Sequence, residues 1–194
     1  GLGKAWLMQK SSDHVGGDFL GAFIIDERRI ALFTVDVSGH GVGSALLAAS
    51  VMNLLRVHSL PGTDFTDAAA VLAALNDRFQ MDRQGGLYFT IWYGVYDTRS
   101  RVLGFGCAGQ HPGFMIVPGQ PAAQPLWVKN PAIGLAPDWP YRRAEAMVPP
   151  GGRLHLFSDG AFEIVTPDDR QRTIGDFLPV LAAPSQPGLP EVER

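Results

Sequence analysis

The sequence predicts an α+β fold in which antiparallel strands are covered by helices on their outer faces. Three observations carry this expectation. Two apolar, β-rich runs open the chain around a short charged turn, two helix-forming stretches follow one another, and short strands separated by tight turns fill most of the rest. Paired strands, then helices, then strands is not the βαβα alternation that a parallel sheet requires.

The elements follow in order. Residues 19–25 (FLGAFII) and 30–37 (IALFTVDV) flank the turn "DERR", the signature of a hairpin. From Ser44 to about Leu60 the composition is helical and apolar nearly all round, so this helix is expected to lie buried between layers. Pro61-Gly62 stops it, and the Thr and Asp residues of "TDFTD" supply caps for a second helix over about 67–83. Residues 87–97, 101–109 and 113–118 read as a three-stranded meander. A Pro-rich loop over 118–140 holds one short strand near Leu126–Val128, and the alternation of 141–148 reads as a half-buried strand. Residues 151–160 form a strand running into an Asp-Gly turn, followed by a helix-like "AFEIV" and a further helical piece over 175–182.

At 194 residues, 46% hydrophobic and 18% charged, the chain has the composition of one folded domain with a core of ordinary size. The net charge of -3 and the scattering of basic residues into pairs such as Arg28-Arg29 and Arg142-Arg143 give no electrostatic case for nucleic acid or an anionic membrane. No apolar run approaches the roughly 18–20 residues of a membrane span. The lone Cys107 excludes an internal disulfide framework and fits a reducing, cytoplasmic setting. The opening "GLGKAWLMQK" has neither an initiator Met nor a signal-peptide layout, so 1–194 is expected to be a single domain of a longer protein, with 1–14 a stub of the linker to an N-terminal regulatory domain.

Three aspartates share one local setting. Asp18 (VGGDF) precedes a strand, whereas Asp36 (VDVSGHG) and Asp159 (LFSDG) sit at strand ends, and each is flanked by glycine and by apolar β sequence. Glycine permits positive φ and close backbone approach, so rigid strands can project all three carboxylates into one cleft. Hard divalent ions such as Mg²⁺ and Mn²⁺ take oxygen ligands of this kind. A phosphate-cradling nucleotide loop is the rival for "GHGVGS", but no Lys occurs between Lys10 and Lys129, and Ser44 stands where a dinucleotide fingerprint needs its third Gly. The likeness of "GGDF" to a cyclase signature is accidental, since the preceding acidic residue is missing. Cys107, Trp92 and Phe105 belong to the core, and Glu163 to the surface or a cap.

The ordered series "GGDF…DVSGHGVGSALLA…FTIWYGVYDTRSRVLGFGCAGQHPGFMI…LFSDGAFE" resembles the SpoIIE/RsbU-like branch of the metal-dependent (type 2C) serine/threonine phosphatases over about residues 15–175. That resemblance implies a four-layer αββα sandwich with two Mn²⁺ or Mg²⁺ ions at one end of the sheets, activating a water for in-line attack on phosphorus. It places metal-binding, catalytic carboxylates on Asp18, Asp36 (bridging) and Asp159, and a ligating backbone carbonyl on Val37. Gly17 lets the first Asp approach, while Gly39, His40 and Gly41 shape the turn, His40 being a candidate phosphate contact. The implied substrate is a phosphoserine or phosphothreonine on a small partner resembling an anti-sigma-factor antagonist. The implied setting is bacterial two-component-type signalling, with a receiver or sensor domain in cis and a homodimer among the compatible assemblies. Two departures support the alternative of a catalytically impaired adaptor or response-regulator output domain. Gln110 stands where the family has His, and no counterpart of the family's final Asp-Asp segment occurs before Arg194.

Overall fold

The computed structural model describes residues 17–163 and 169–183. Strand β1 (Phe19–Ile24) pairs antiparallel with β2 (Arg29–Val37), as the hairpin reading requires. The charged turn explains itself: Asp26 Oδ1 accepts from the backbone N–H of Arg28 and of Arg29, both at 2.9 Å, and its carboxylate pairs with the Arg29 guanidinium. Helix α1 (Val42–Arg56) and α2 (Ala68–Arg78) follow, with Asp67 capping α2 by accepting from Ala69 N at 2.9 Å. Next come β3 (Phe89–Asp97), β4 (Val102–Ala108), β5 (Gly113–Ile116), β6 (Gln124–Leu126), β7 (Ala144–Met147), β8 (Arg153–His155) and α3 (Ile174–Ala182).

The strands form two antiparallel sheets, one of five in the order β1-β2-β3-β4-β7 and one of three in the order β6-β5-β8. The α+β expectation holds, and the layers number four. Val35, Phe33, Ile91 and Tyr93 face α1 and α2, packing with Leu55, Val71, Leu72 and Leu75. Trp92, Phe105, Cys107 and Leu103 face the other way, meeting Met115 and Leu126 of the second sheet. The outer face of that sheet, through Phe114 and Ile116, packs on Leu181 of α3. Cys107, Trp92 and Phe105 are thus core residues, the latter two stacked with ring centroids 5.7 Å apart. Each large apolar side chain fully buried in this way contributes about 1.5–3 kcal/mol.

Several sequence expectations need correction. α1 is not buried all round: Leu47, Ala48, Val51 and Leu55 are buried, whereas Val42 and Leu46 are 75% and 64% exposed. Only one flank of α1 lies on the sheet, and its apolar composition hid that. α2 ends at Arg78, with a separate 3₁₀ turn over Met81–Arg83. The meander breaks after β4, because β5 crosses into the second sheet. The helix-like "AFEIV" begins as a 3₁₀ turn over Asp159–Ala161, and 164–168 lie outside the described residues. So do the proposed linker stub 1–14 and the chain beyond 183. Among the described residues no helix is long and apolar enough to cross a membrane.

Candidate active site

The hairpin register places the first two aspartates. Phe19 pairs with Val35, so the preceding residue, Asp18, comes opposite Asp36. On the other side Asp36 pairs with Thr90 of β3. Side chains of directly paired residues share a face, so Asp18, Asp36 and Thr90 form a polar row across the end of the five-stranded sheet. Alternation puts this row on the face that Trp92 presents to the second sheet, because Trp92 follows Thr90 by two residues.

The two carboxyls are joined by a hydrogen bond, so the pair holds a proton between them. Burial pushes the Asp36 pKa up from 3.8 to about 7, helped by the hydrogen bond to Asp18, by the charge of Asp18, and by the charges of Asp159 and Glu163. Asp159 stands in the 3₁₀ turn that follows β8, where its carbonyl accepts from Phe162 N at 2.9 Å and Glu163 N at 2.8 Å. The fold therefore brings Asp159 from the second sheet toward the Asp18–Asp36 pair of the first. Glu163 is exposed, as the sequence reading has it, and adds its charge to theirs. Its spacing of four residues from Asp159, on the same turn, is the signal that carries this.

The turn after Asp36 is locked by its serines. Ser38 N donates to Tyr88 O at 2.9 Å, Tyr88 N donates to Ser38 Oγ at 3.0 Å, and the buried Ser44 Oγ donates to Ser38 O at 2.9 Å. Gly39 and Gly41 have φ of 78° and 91°, conformations that side chains rarely adopt. Gly41 is the N-cap of α1, which starts without a side-chain cap. His40, between them, is exposed. Gly17 lies against the Val37 backbone: a Cβ there would come within 2.9 Å of the Val37 carbonyl oxygen. Gln110, where the family resemblance leads to His, is buried and accepts a hydrogen bond from the Thr90 hydroxyl, which ties it to the polar row.

Among the described residues, no three His, Cys, Asp or Glu side chains are drawn together tightly enough to hold an ion as they stand. The donor chemistry nonetheless fits a hard cation. Half-buried carboxyls that repel one another, with one held protonated, are relieved when a divalent ion replaces the shared proton.

Residues 26–192 match the family described as Stage II sporulation protein E (SpoIIE). The chain is 28% identical to the phosphoserine phosphatase RsbP of Bacillus subtilis over 154 residues, 79% of this chain and 38% of that protein. It is 26% identical to the phosphoserine phosphatase RsbU of the same organism, over 78% of this chain and 44% of that one. Among solved structures, the SiaA-PP2C domain of Pseudomonas aeruginosa superposes with a TM-score of 0.73 at 22% identity, covering 86% of this chain and 65% of that one. The RsbU and RsbW domains of Rv1364c from Mycobacterium tuberculosis give 0.68 at 23%, covering 86% and 45%. The fold is that of the PP2C phosphatase domains. The chain belongs to the SpoIIE family, and it spans about two fifths of the length of the curated relatives it matches.

Proposed function

We propose that this chain is the catalytic domain of a metal-dependent protein serine/threonine phosphatase. The observation that carries the reading is the Asp18–Asp36 pair, hydrogen-bonded and half-buried at the end of the sandwich, with Asp159 and Glu163 adding charge from the opposite sheet. Two Mn²⁺ or Mg²⁺ ions, when bound, supply an activated water and stabilise charge on the phosphoryl oxygens. Asp36, Asp18 and Asp159 would hold the ions through carboxylate oxygens, Asp36 and Asp18 giving up their shared proton, and Val37 would add its backbone carbonyl. The Ser38–Ser44–Tyr88 hydrogen bonds hold the Asp36 end of β2 still, and the exposure of His40 in the turn that follows supports it as a phosphate contact.

The substrate proposed is phosphoserine or phosphothreonine on a small partner resembling an anti-sigma-factor antagonist, within bacterial signalling in the cytoplasm. The naming of RsbP and RsbU as phosphoserine phosphatases supports this, and so does an RsbU domain standing beside an RsbW domain in the M. tuberculosis structure. The greater length of these relatives supports 1–194 as one domain of a longer chain with a regulatory domain in cis.

The test is phosphate release from a phosphorylated partner of this kind. Release is expected to need Mn²⁺ or Mg²⁺, to stop in EDTA and to be lost in Asp36→Asn. Partner binding with no metal-dependent release would instead favour the adaptor reading.

A further inference from the structure

The two halves of the site come from different sheets, and the chain crosses between those sheets at residues 109–112, from the end of β4 to the start of β5. Two adjacent side chains on this crossover reach in different directions. Gln110 accepts from the Thr90 hydroxyl, next to Asp36 in the polar row. His111 stacks on Phe157, with ring centroids 5.0 Å apart and planes 23° from parallel, and meets Phe162 edge-on at 5.6 Å. Phe157 and Phe162 bracket the turn that carries Asp159 and pack on each other at 6.0 Å. Phe157 is backed in turn by Phe114 and Phe177. The imidazole is pinned from its own side, since the Pro112 carbonyl, 2.9 Å from Nδ1, can only accept, so Nδ1 carries the proton.

We propose that Gln110 and His111 form a strut that sets the separation between the Asp18–Asp36 pair and Asp159. Gln110 grips one side, His111 clamps the aromatic ring pair on the other, and the short peptide between them fixes the spacing. Both are positioning residues that act through the aspartates. The metal consequence rests on the phosphatase reading above, whereas the clamp on the Asp159 turn does not.

The experiment uses the whole chain with His111→Ala, His111→Phe and Gln110→Ala. In EDTA, amide hydrogen exchange at Ala161 and Phe162, whose N–H groups donate to Ser158 O and Asp159 O, is read by NMR. His111→Ala is expected to speed exchange at least about tenfold at these two positions, with exchange at Ile91 and Tyr93 unchanged, while His111→Phe, which keeps the stacked ring, stays within about threefold of wild type. Calorimetric Mn²⁺ titration follows: His111→Ala and Gln110→Ala are each expected to weaken binding by about 10–100-fold, while kcat at saturating Mn²⁺ is largely kept. Unchanged Ala161 and Phe162 exchange in His111→Ala, or a His111→Phe protein as loose there as His111→Ala, overturns the clamp. Altered exchange with unaltered Mn²⁺ affinity overturns the strut. If wild type binds Mn²⁺ yet releases no phosphate, the phosphatase reading falls and the strut stands.

Discussion

Replacing Asp36 with Asn should make the metal-free protein more stable at alkaline pH, although the same change abolishes activity. In the folded chain the Asp36 carboxyl is held protonated up to about pH 7, against 3.8 ordinarily. A carboxyl whose pKa is raised on folding contributes stability that is fully present below its unfolded value and lost as pH rises through the folded one. From 3.8 to about 7, at about 1.4 kcal/mol for each pH unit, the loss has a ceiling of about 4 kcal/mol. Asp36 remains partly open to solvent, and screening reduces that to about 1–2 kcal/mol. Asn keeps a donor for the Asp18 carboxylate and never ionises. Urea denaturation in EDTA should therefore show Asp36→Asn more stable than wild type by that amount at pH 8, about 4 °C in Tm, with the gap closing near pH 4. Adding Mn²⁺ should reverse the order, because a ligand that binds only the folded wild type stabilises it by mass action. An Asp36→Asn protein no more stable than wild type at pH 8 without metal would refute the idea that these carboxyls repel one another.

Gly17→Ala should clash with the Val37 carbonyl and Cβ, each 2.9 Å from the added methyl. A stability loss of about 1–3 kcal/mol is expected, with Mn²⁺ activation weakened about tenfold, read by denaturation and metal titration. Burial pushes the Cys107 thiol up to about 12, so iodoacetamide at pH 8 should leave the native protein unlabelled and react fully in urea. Buried Asn76 accepts from Gly134 N at 2.9 Å and the Tyr141 hydroxyl at 3.1 Å, and donates to Ala136 O at 2.9 Å. Asn76→Ala should cost about 3 kcal/mol in urea denaturation, since it strands these partners away from water.

Local pattern and long-range partnership differed in how far the sequence revealed them. The β1–β2 hairpin, its Asp26 turn and the Asp67 cap follow from neighbouring residues and were legible. The three aspartates were picked out by a shared setting at strand ends. Asp18 and Asp36 prove to be hydrogen-bonded neighbours, whereas Asp159 lies in a 3₁₀ turn beyond β8, which ends at His155 and not at the expected Asp-Gly turn. The departure of β5 into the second sheet was not legible, since a four-residue apolar strand packs equally well in either sheet until its partners are known. Glu163 was legible as a surface residue and is exposed; its charge on Asp36 depends on the fold and was not legible. Gln110 stood out in the sequence only as a departure from the family pattern. Its tie to Thr90 spans twenty residues and depends on the register of β3 against the crossover.

Trp92 occupies the gap between the two sheets that supply the aspartates. The missing side chain of Gly94 makes room for its ring, which an added Cβ would meet at 2.5 Å, and its indole N–H donates to the Leu126 carbonyl of the opposite sheet at 3.0 Å. The molecule thus carries its own optical gauge. Trp127 and Trp139 are 51% and 43% exposed and should emit at longer wavelength and be quenched by iodide, whereas emission from the fully buried Trp92 should be blue-shifted and shielded. A change in inter-sheet spacing as ions or a phosphorylated partner arrive would be recorded in that shielded band, with no label attached.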